Sequence, residues 1–139
     1  MEEGDTPGER PAASSGIKPR ILVIDDDVHF LKLLVGVLDR AGLDVTKAGN
    51  GKEAFECLER VQFDIVLSDF DLPDTTGLVI CDKLKQDPMY QRIPFLLMSG
   101  RPLEEIQHLA LASCAEDCIA KPFAPNRLIA KIFTHVAKR

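Results

Sequence analysis

Five polar residues each close a short apolar run, and their types suit one chemistry. Asp25 and Asp26 follow Ile21–Ile24, Asp69 follows Phe63–Ser68, Ser99 follows Ile93–Met98, and Lys121 follows Asp117–Ala120. Carboxylates brought together repel one another unless a cation offsets them. One lysine offsets part of that charge, and a hard divalent ion offsets more. Mg2+ takes carboxylate, carbonyl and water oxygens and usually keeps several waters. Asp26 and Asp69 suit direct ligation, Asp25 can hold a metal-bound water, and the backbone carbonyl of Asp71 can supply a further oxygen. The chain has no clustered His or Cys set, which argues against a softer metal. A carboxylate can also be a nucleophile and form an aspartyl phosphate. A metal and Lys121 would then neutralise the transferring oxygens, and the Ser99 hydroxyl would donate to one of them. Asp69 is the candidate nucleophile, because it ends the strand that reads as most buried and opens a loop carrying Pro73 and Gly77. Pro73 fixes a φ angle there, and Gly77 permits a close approach.

Taken singly, an aspartate after a strand is an ordinary turn or cap residue. The elements between these residues decide whether they meet. Phe30, Leu34, Val37, Leu38 and Ala41 recur at helical spacing up to Gly42, and Leu43–Ala48 reads as a weaker strand. Asn50-Gly51 is a turn or cap signal, and Ala54, Leu58 and Val61 share a helical face. Leu78, Cys81 and Leu84 continue as helix until Asp87-Pro88 breaks it. Leu103–Cys114 reads as helix, and Leu128, Ile129, Ile132, Phe133 and Val136 form the last helical stripe. Strands alternating with crossovers long enough to hold a helix predict a doubly wound α/β fold, its five-stranded parallel sheet covered on both faces. In such a sheet the carboxyl ends share one edge, and the crevice there is the ligand site. Asp27 is expected to cap the first helix, Asp64 to lie in a solvated turn, and His29, His108 and His135 to be isolated surface or helix-face residues. The Lys121-Pro122 bond is open to either isomer.

Composition bounds the remaining possibilities. The chain has 139 residues, 45% hydrophobic and 28% charged, with a net charge of -5. That length fits one domain with a proper core. Residues 1–19 hold Pro, Gly, Glu and Ser without a hydrophobic period and read as a disordered leader, leaving residues 20–139 as the folded domain. An acidic balance argues against direct nucleic-acid binding and against anionic membranes. No apolar run approaches the ~20 residues needed to span a bilayer, and no signal peptide is visible, so a cytoplasmic location is expected. The four cysteines, Cys57, Cys81, Cys114 and Cys118, form no C-x-x-C pair and read as small buried or half-buried side chains in a reducing compartment.

The motifs Ile-Leu-Val-Ile-Asp-Asp-Asp at 21–27, Asp-Ile-Val-Leu-Ser-Asp-Phe-Asp-Leu-Pro-Asp-Thr-Thr-Gly at 64–77, Met-Ser-Gly at 98–100 and Ala-Lys-Pro-Phe at 120–123 closely resemble the receiver domains of two-component response regulators. The resemblance spans Arg20 to about Val136. It implies the flavodoxin-like, or CheY-like, (βα)5 sheet in order 2-1-3-4-5. It implies Asp69 as acceptor of a phosphoryl group from a histidine kinase or phosphotransfer protein, with Mg2+ served by Asp25, Asp26, Asp69 and the Asp71 carbonyl. Ser99 takes the hydroxyl place, and Lys121 the lysine place followed by what is usually a cis proline, Pro122. Gly100 gives the next loop room to shift, and the signal would reach the face formed by helix 4, strand 5 and helix 5. Relatives often carry an aromatic where this chain has Cys118, so their usual hydroxyl–aromatic coupling is altered here. The implied partners are a kinase, a downstream protein or output module, and a second copy in a homodimer. Turnover is limited to self-phosphorylation and slow autodephosphorylation. The alternatives are a Mg2+-dependent phosphohydrolase with an aspartyl nucleophile, for which Asp71 would be the extra acid or base, and a binding-only pseudo-receiver. Whether the chain stands alone or belongs to a larger regulator or hybrid kinase stays open.

Overall fold

The structure, a computed structural model, describes residues 17–138. The leader expected over 1–19 therefore lies almost wholly outside the described residues. The elements run β1 (Arg20–Ile24), α1 (Val28–Arg40), β2 (Asp44–Ala48), α2 (Gly51–Arg60), β3 (Ile65–Asp69), α3 (Gly77–Lys85), β4 (Phe95–Ser99), α4 (Leu103–Ala112), β5 (Asp117–Ala120) and α5 (Pro125–Ala137). All strand pairings are parallel, and the sheet order is β2-β1-β3-β4-β5, as expected.

Alternation along the strands divides the core into two layers. Ile21, Val23, Ile65, Leu67, Leu96 and Met98 pack with Leu31, Leu34 and Leu38 of α1 and Leu128 and Ile132 of α5. Leu22, Ile24, Val66, Phe95 and Leu97 pack on the other face with Ala54 and Leu58 of α2 and Ile80, Cys81 and Leu84 of α3. Each fully buried Leu or Ile contributes about 1.5–3 kcal/mol. That two-sided burial is why β1, β3 and β4 read as unbroken apolar runs.

Short polar side chains start the first three helices. Asp27 accepts the Phe30 N–H at 3.1 Å, Asn50 accepts the Glu53 N–H at 2.8 Å, and Thr76 accepts the Val79 N–H at 3.2 Å. Gly42, at φ +96°, ends α1 in the left-handed region that favours glycine.

Three boundaries lie two residues from the sequence reading, and others shift by one. β3 begins at Ile65 and β4 at Phe95, because Phe63 and Ile93 fill the core beside α2 and α3 from outside the ladder. α4 stops at Ala112, since Ser113 is extended and turns Cys114 inward. Asp64 is not in a solvated turn. It is 2% exposed, and its carboxylate accepts the Arg20 N–H at 2.8 Å while its own N–H donates to the Arg20 carbonyl at 2.8 Å. It closes the amino-terminal edge of the sheet. His135 is not isolated either, for its Nε2 lies 3.3 Å from Asp117 Oδ2, which Lys131 also meets at 3.0 Å. Burial works to raise the Asp117 carboxyl, but Lys131 and His135 outweigh it and hold it below the usual carboxylate range.

Candidate functional site

The chain adds β2 on one side of β1 and β3 on the other, and at this switch in winding the first and third strands end beside the same crevice. Asp25 leaves the end of β1 fully buried. Its Oδ1 accepts the Asp27 N–H at 2.9 Å, and its Oδ2 lies 2.8 Å from Lys121 Nζ. The same ammonium stands 3.6 Å from Asp69 Oδ1 and 4.3 Å from the centre of the Phe30 ring. Phe123 meets Phe30 edge to face at 5.9 Å, so the ring under the lysine is itself held. The Lys121-Pro122 bond is cis, which answers the question left open by the sequence.

Asp25, Asp26 and Asp69 each bring a carboxylate oxygen to within 4.8 Å of the other two. Asp25 is buried, Asp69 partly so, and Asp26 faces solvent. Asp69 is pushed up from 3.8 to about 6. Loss of solvation is the main cause; Lys121 opposes it, and Asp25 adds to it. One ammonium thus leaves the crevice short of positive charge. An all-oxygen donor set with that deficit fits a hard divalent cation such as Mg2+.

The loop after β3 is strongly tied down. Phe70 donates to the Met98 carbonyl and Gly77 to the Phe70 carbonyl, each at 2.8 Å, while Leu72 donates to the Thr75 carbonyl at 3.2 Å across Pro73. Asp71 bridges to Thr76. Asp74 accepts the Gly51 and Lys52 N–H groups at 2.8 and 3.0 Å, which binds the loop to the start of α2. Those backbone donors, Gly51 foremost, hold the Asp74 carboxyl below its ordinary value. Gly77 backs onto Asp69 itself, for a methyl placed on it would lie 2.5 Å from the Asp69 carbonyl oxygen.

Ser99 ends β4 and is 4% exposed, with its hydroxyl oxygen accepting the Arg101 N–H at 3.0 Å. Gly100 is exposed, with nothing within 4 Å of where a Cβ would stand. The structure therefore gathers Asp25, Asp26, Asp69 and Lys121 at one point and sets Ser99 on the strand beside Asp69. Pro73, Gly77 and Gly100 shape the surrounding loops. Cys118 lies outside the crevice, against the core layer of α2 and α3, and burial raises its thiol above the usual range.

Sequence reasoning missed Arg101. Its guanidinium reaches Asp71 at 3.0 Å and Glu105 at 3.3 Å and lies 4.8 Å from the centre of the Phe70 ring. It links the loop after Asp69 to the first turn of α4. The one sequence signal was a cation two residues past Ser99, facing an acid-rich loop. Phe30 was legible only as a core position.

The response regulator receiver domain family matches residues 21–133. The regulatory protein VanR of Enterococcus faecium is 34% identical over 113 residues, covering 81% of this chain and 48% of VanR. The chain spans about half the length of the curated relatives it matches. Among solved structures, the signal receiver domain of a signal transduction histidine kinase from Syntrophus aciditrophicus superposes with TM-score 0.80 at 25% identity, over 86% of this chain and 91% of that one. A CheY-like response regulator receiver domain protein from Methanospirillum hungatei superposes with TM-score 0.78 at 26% identity, over 88% and 96%. Among the described residues no helix is long and apolar enough to cross a membrane. Fold, crevice and relatives agree over most of the chain, and it belongs to the response regulator receiver domain family, the phosphorylation-switched domains of two-component signal transduction.

Proposed function

We propose that Asp69 takes a phosphoryl group from the phosphohistidine of a sensor kinase or phosphotransfer protein, with Mg2+ held by Asp25, Asp26, Asp69 and the Asp71 carbonyl. The observation that carries this reading is the position of Asp69, a carboxylate among two others with Lys121 Nζ 3.6 Å away. A carboxyl titrating at about 6 is largely ionised at neutral pH and so is a competent nucleophile. One Asp69 oxygen bonds to phosphorus as the phosphorus–nitrogen bond breaks, and the imidazole leaves and takes a proton from solvent. Lys121, anchored on Asp25, pairs with the transferred oxygens, and the Ser99 hydroxyl donates to one of them. Mg2+ supplies further charge neutralisation at those oxygens. Hydrolysis of the aspartyl phosphate returns the resting state, with no external substrate turned over. The phosphohydrolase alternative loses support, because Arg101 holds the Asp71 carboxylate that it would need as acid or base.

Acetyl phosphate with Mg2+ should add one phosphoryl group per chain by intact mass. Sustained turnover of generic phosphomonoesters would instead favour the hydrolase. Mg2+ should bind wild type weakly and reversibly, since few ligands come from the protein. Asp26→Ala should weaken that binding by more than about tenfold. Equal Mg2+ titration curves for the two proteins would remove Asp26 from the metal site.

The phosphoryl group adds charge and acceptors beside Ser99, whose backbone leads through Gly100 and Arg101 into α4. Partner binding would then change on the face of α4, β5 and α5. With beryllofluoride and Mg2+ as the phosphoryl mimic, amide exchange should change over residues 99–112 as well as 69–77. A change confined to 69–77 would rule this route out.

A further inference from the structure

We propose that Cys81 and Cys114 form a dithiol that a small-molecule disulfide oxidises to an intramolecular disulfide, pinning the end of α4 to α3. The two sulfurs face each other at 2.6 Å although the residues are 33 positions apart. A sulfur–sulfur bond of about 2.05 Å needs only a small further approach. The facing is held by the surrounding structure. One helical turn beyond Cys81, Lys85 Nζ meets Glu116 Oε2 at 2.8 Å and the Ile93 carbonyl at 3.0 Å. Glu116 in turn accepts the Phe95 N–H at 2.7 Å and donates its own N–H to the Phe95 carbonyl at 2.8 Å. Residues 81 and 85 of α3 are thus set against residues 114 and 116 of the α4–β5 connection, with the ion pair fixing the register of the thiols.

The two sulfurs have different access. Cys81 is fully buried and Cys114 partly exposed, so an incoming oxidant meets Cys114. The Cys114 S–H donates to Asp82 Oδ1 at 3.1 Å, and that carboxylate adds to burial in keeping the proton on the attacking sulfur. The Cys114 thiolate attacks one sulfur of the small disulfide, breaking that bond and releasing one small thiolate. Cys81, deprotonated in turn, attacks Cys114 Sγ and expels the second small thiolate. The two cysteine protons pass through solvent to the two released thiolates, the two cysteines lose two electrons, and the small disulfide gains them and becomes two thiols. Burial raises both thiols above their ordinary range, so the reaction is slow near neutrality and quickens as pH rises from about 7 to about 9.

The effect on signalling rests on the switch route proposed above, since pinning the end of α4 restrains the helix that Ser99 and Arg101 would move. The native protein is incubated with oxidised glutathione, quenched, unfolded, alkylated and peptide-mapped. The expected result is two alkylated thiols in place of four, with one cross-linked peptide joining Cys81 to Cys114. Four alkylated thiols at the higher pH, a lasting glutathione adduct on wild-type Cys114, or a bridge using Cys57 or Cys118 would overturn the pair. Cys81→Ser should keep glutathione on Cys114. This mapping needs no phosphorylation. A second arm compares amide exchange over residues 103–114, with beryllofluoride and Mg2+, in the oxidised and reduced proteins. The response should fall by more than half in the oxidised form. Equal responses overturn the pinning, whereas silence of the reduced form overturns the switch route and leaves the dithiol standing.

Discussion

Asp69→Asn is expected to stabilise the metal-free domain at neutral pH and to abolish phosphorylation. The carboxyl of Asp69 is raised from 3.8 to about 6, chiefly because the crevice strips its solvation. Below about pH 4 it is protonated in both folded and unfolded chains and costs nothing. Between about pH 4 and pH 6 the folded state holds the proton more tightly, so stability falls as pH rises. Above pH 6 the full cost is present, at most about 3 kcal/mol for a change of this size. Asparagine keeps the shape and removes the charge. Urea unfolding in a chelator should therefore show the variant about 1–3 kcal/mol more stable than wild type at pH 7 and nearly equal to it at pH 4. A constant difference across that range would show that charge at Asp69 is not the cause. The amide is no nucleophile towards acetyl phosphate, so intact mass should show no phosphoryl group. Stoichiometric addition to the variant would move the nucleophile elsewhere.

Gly77→Ala is expected to carry the largest loss of stability among alanine substitutions at the described glycines. The added methyl would stand 2.5 Å from the Asp69 carbonyl oxygen, 2.7 Å from a Leu97 methyl and 2.9 Å from Ser68 Oγ. Two of these neighbours can adjust little, because the carbonyl is backbone and Ser68 is fully buried with its hydroxyl bonded to the same carbonyl at 2.9 Å. Overpacking of this kind costs about 2–3 kcal/mol, more than the better helix propensity of alanine returns. The strain falls on the residue proposed as nucleophile, so phosphorylation by acetyl phosphate should slow as well. Gly100→Ala is the control. Nothing lies within 4 Å of its added methyl, and its stability should stay within about 0.5 kcal/mol of wild type. Equal unfolding curves for the two variants would show that the close approach at Gly77 is not as tight as described.

By itself the sequence determined the sheet, its two-sided burial and the edge where the chemistry collects. Apolar runs such as Ile21–Ile24 carry that information locally, since period and length tell strand from helix. Each run ended in a polar residue, and parallel topology alone makes Asp25, Asp69, Ser99 and Lys121 neighbours. Caps such as Asp27 and Asn50 were equally legible, because they act on a backbone N–H three residues away. Only the tertiary structure decided which side chains meet across elements. Asp64 looked like a turn residue and is buried on Arg20, 44 positions earlier. Cys81 and Cys114 share no motif, yet α3 and the chain leaving α4 press them together. His135 of α5 meets Asp117 of β5, and Arg101 reaches Asp71 from the loop after the neighbouring strand. In each case the partner lies far along the chain. Contact then depends on helix rotation and loop path, which the packing of the whole core fixes and no local period encodes.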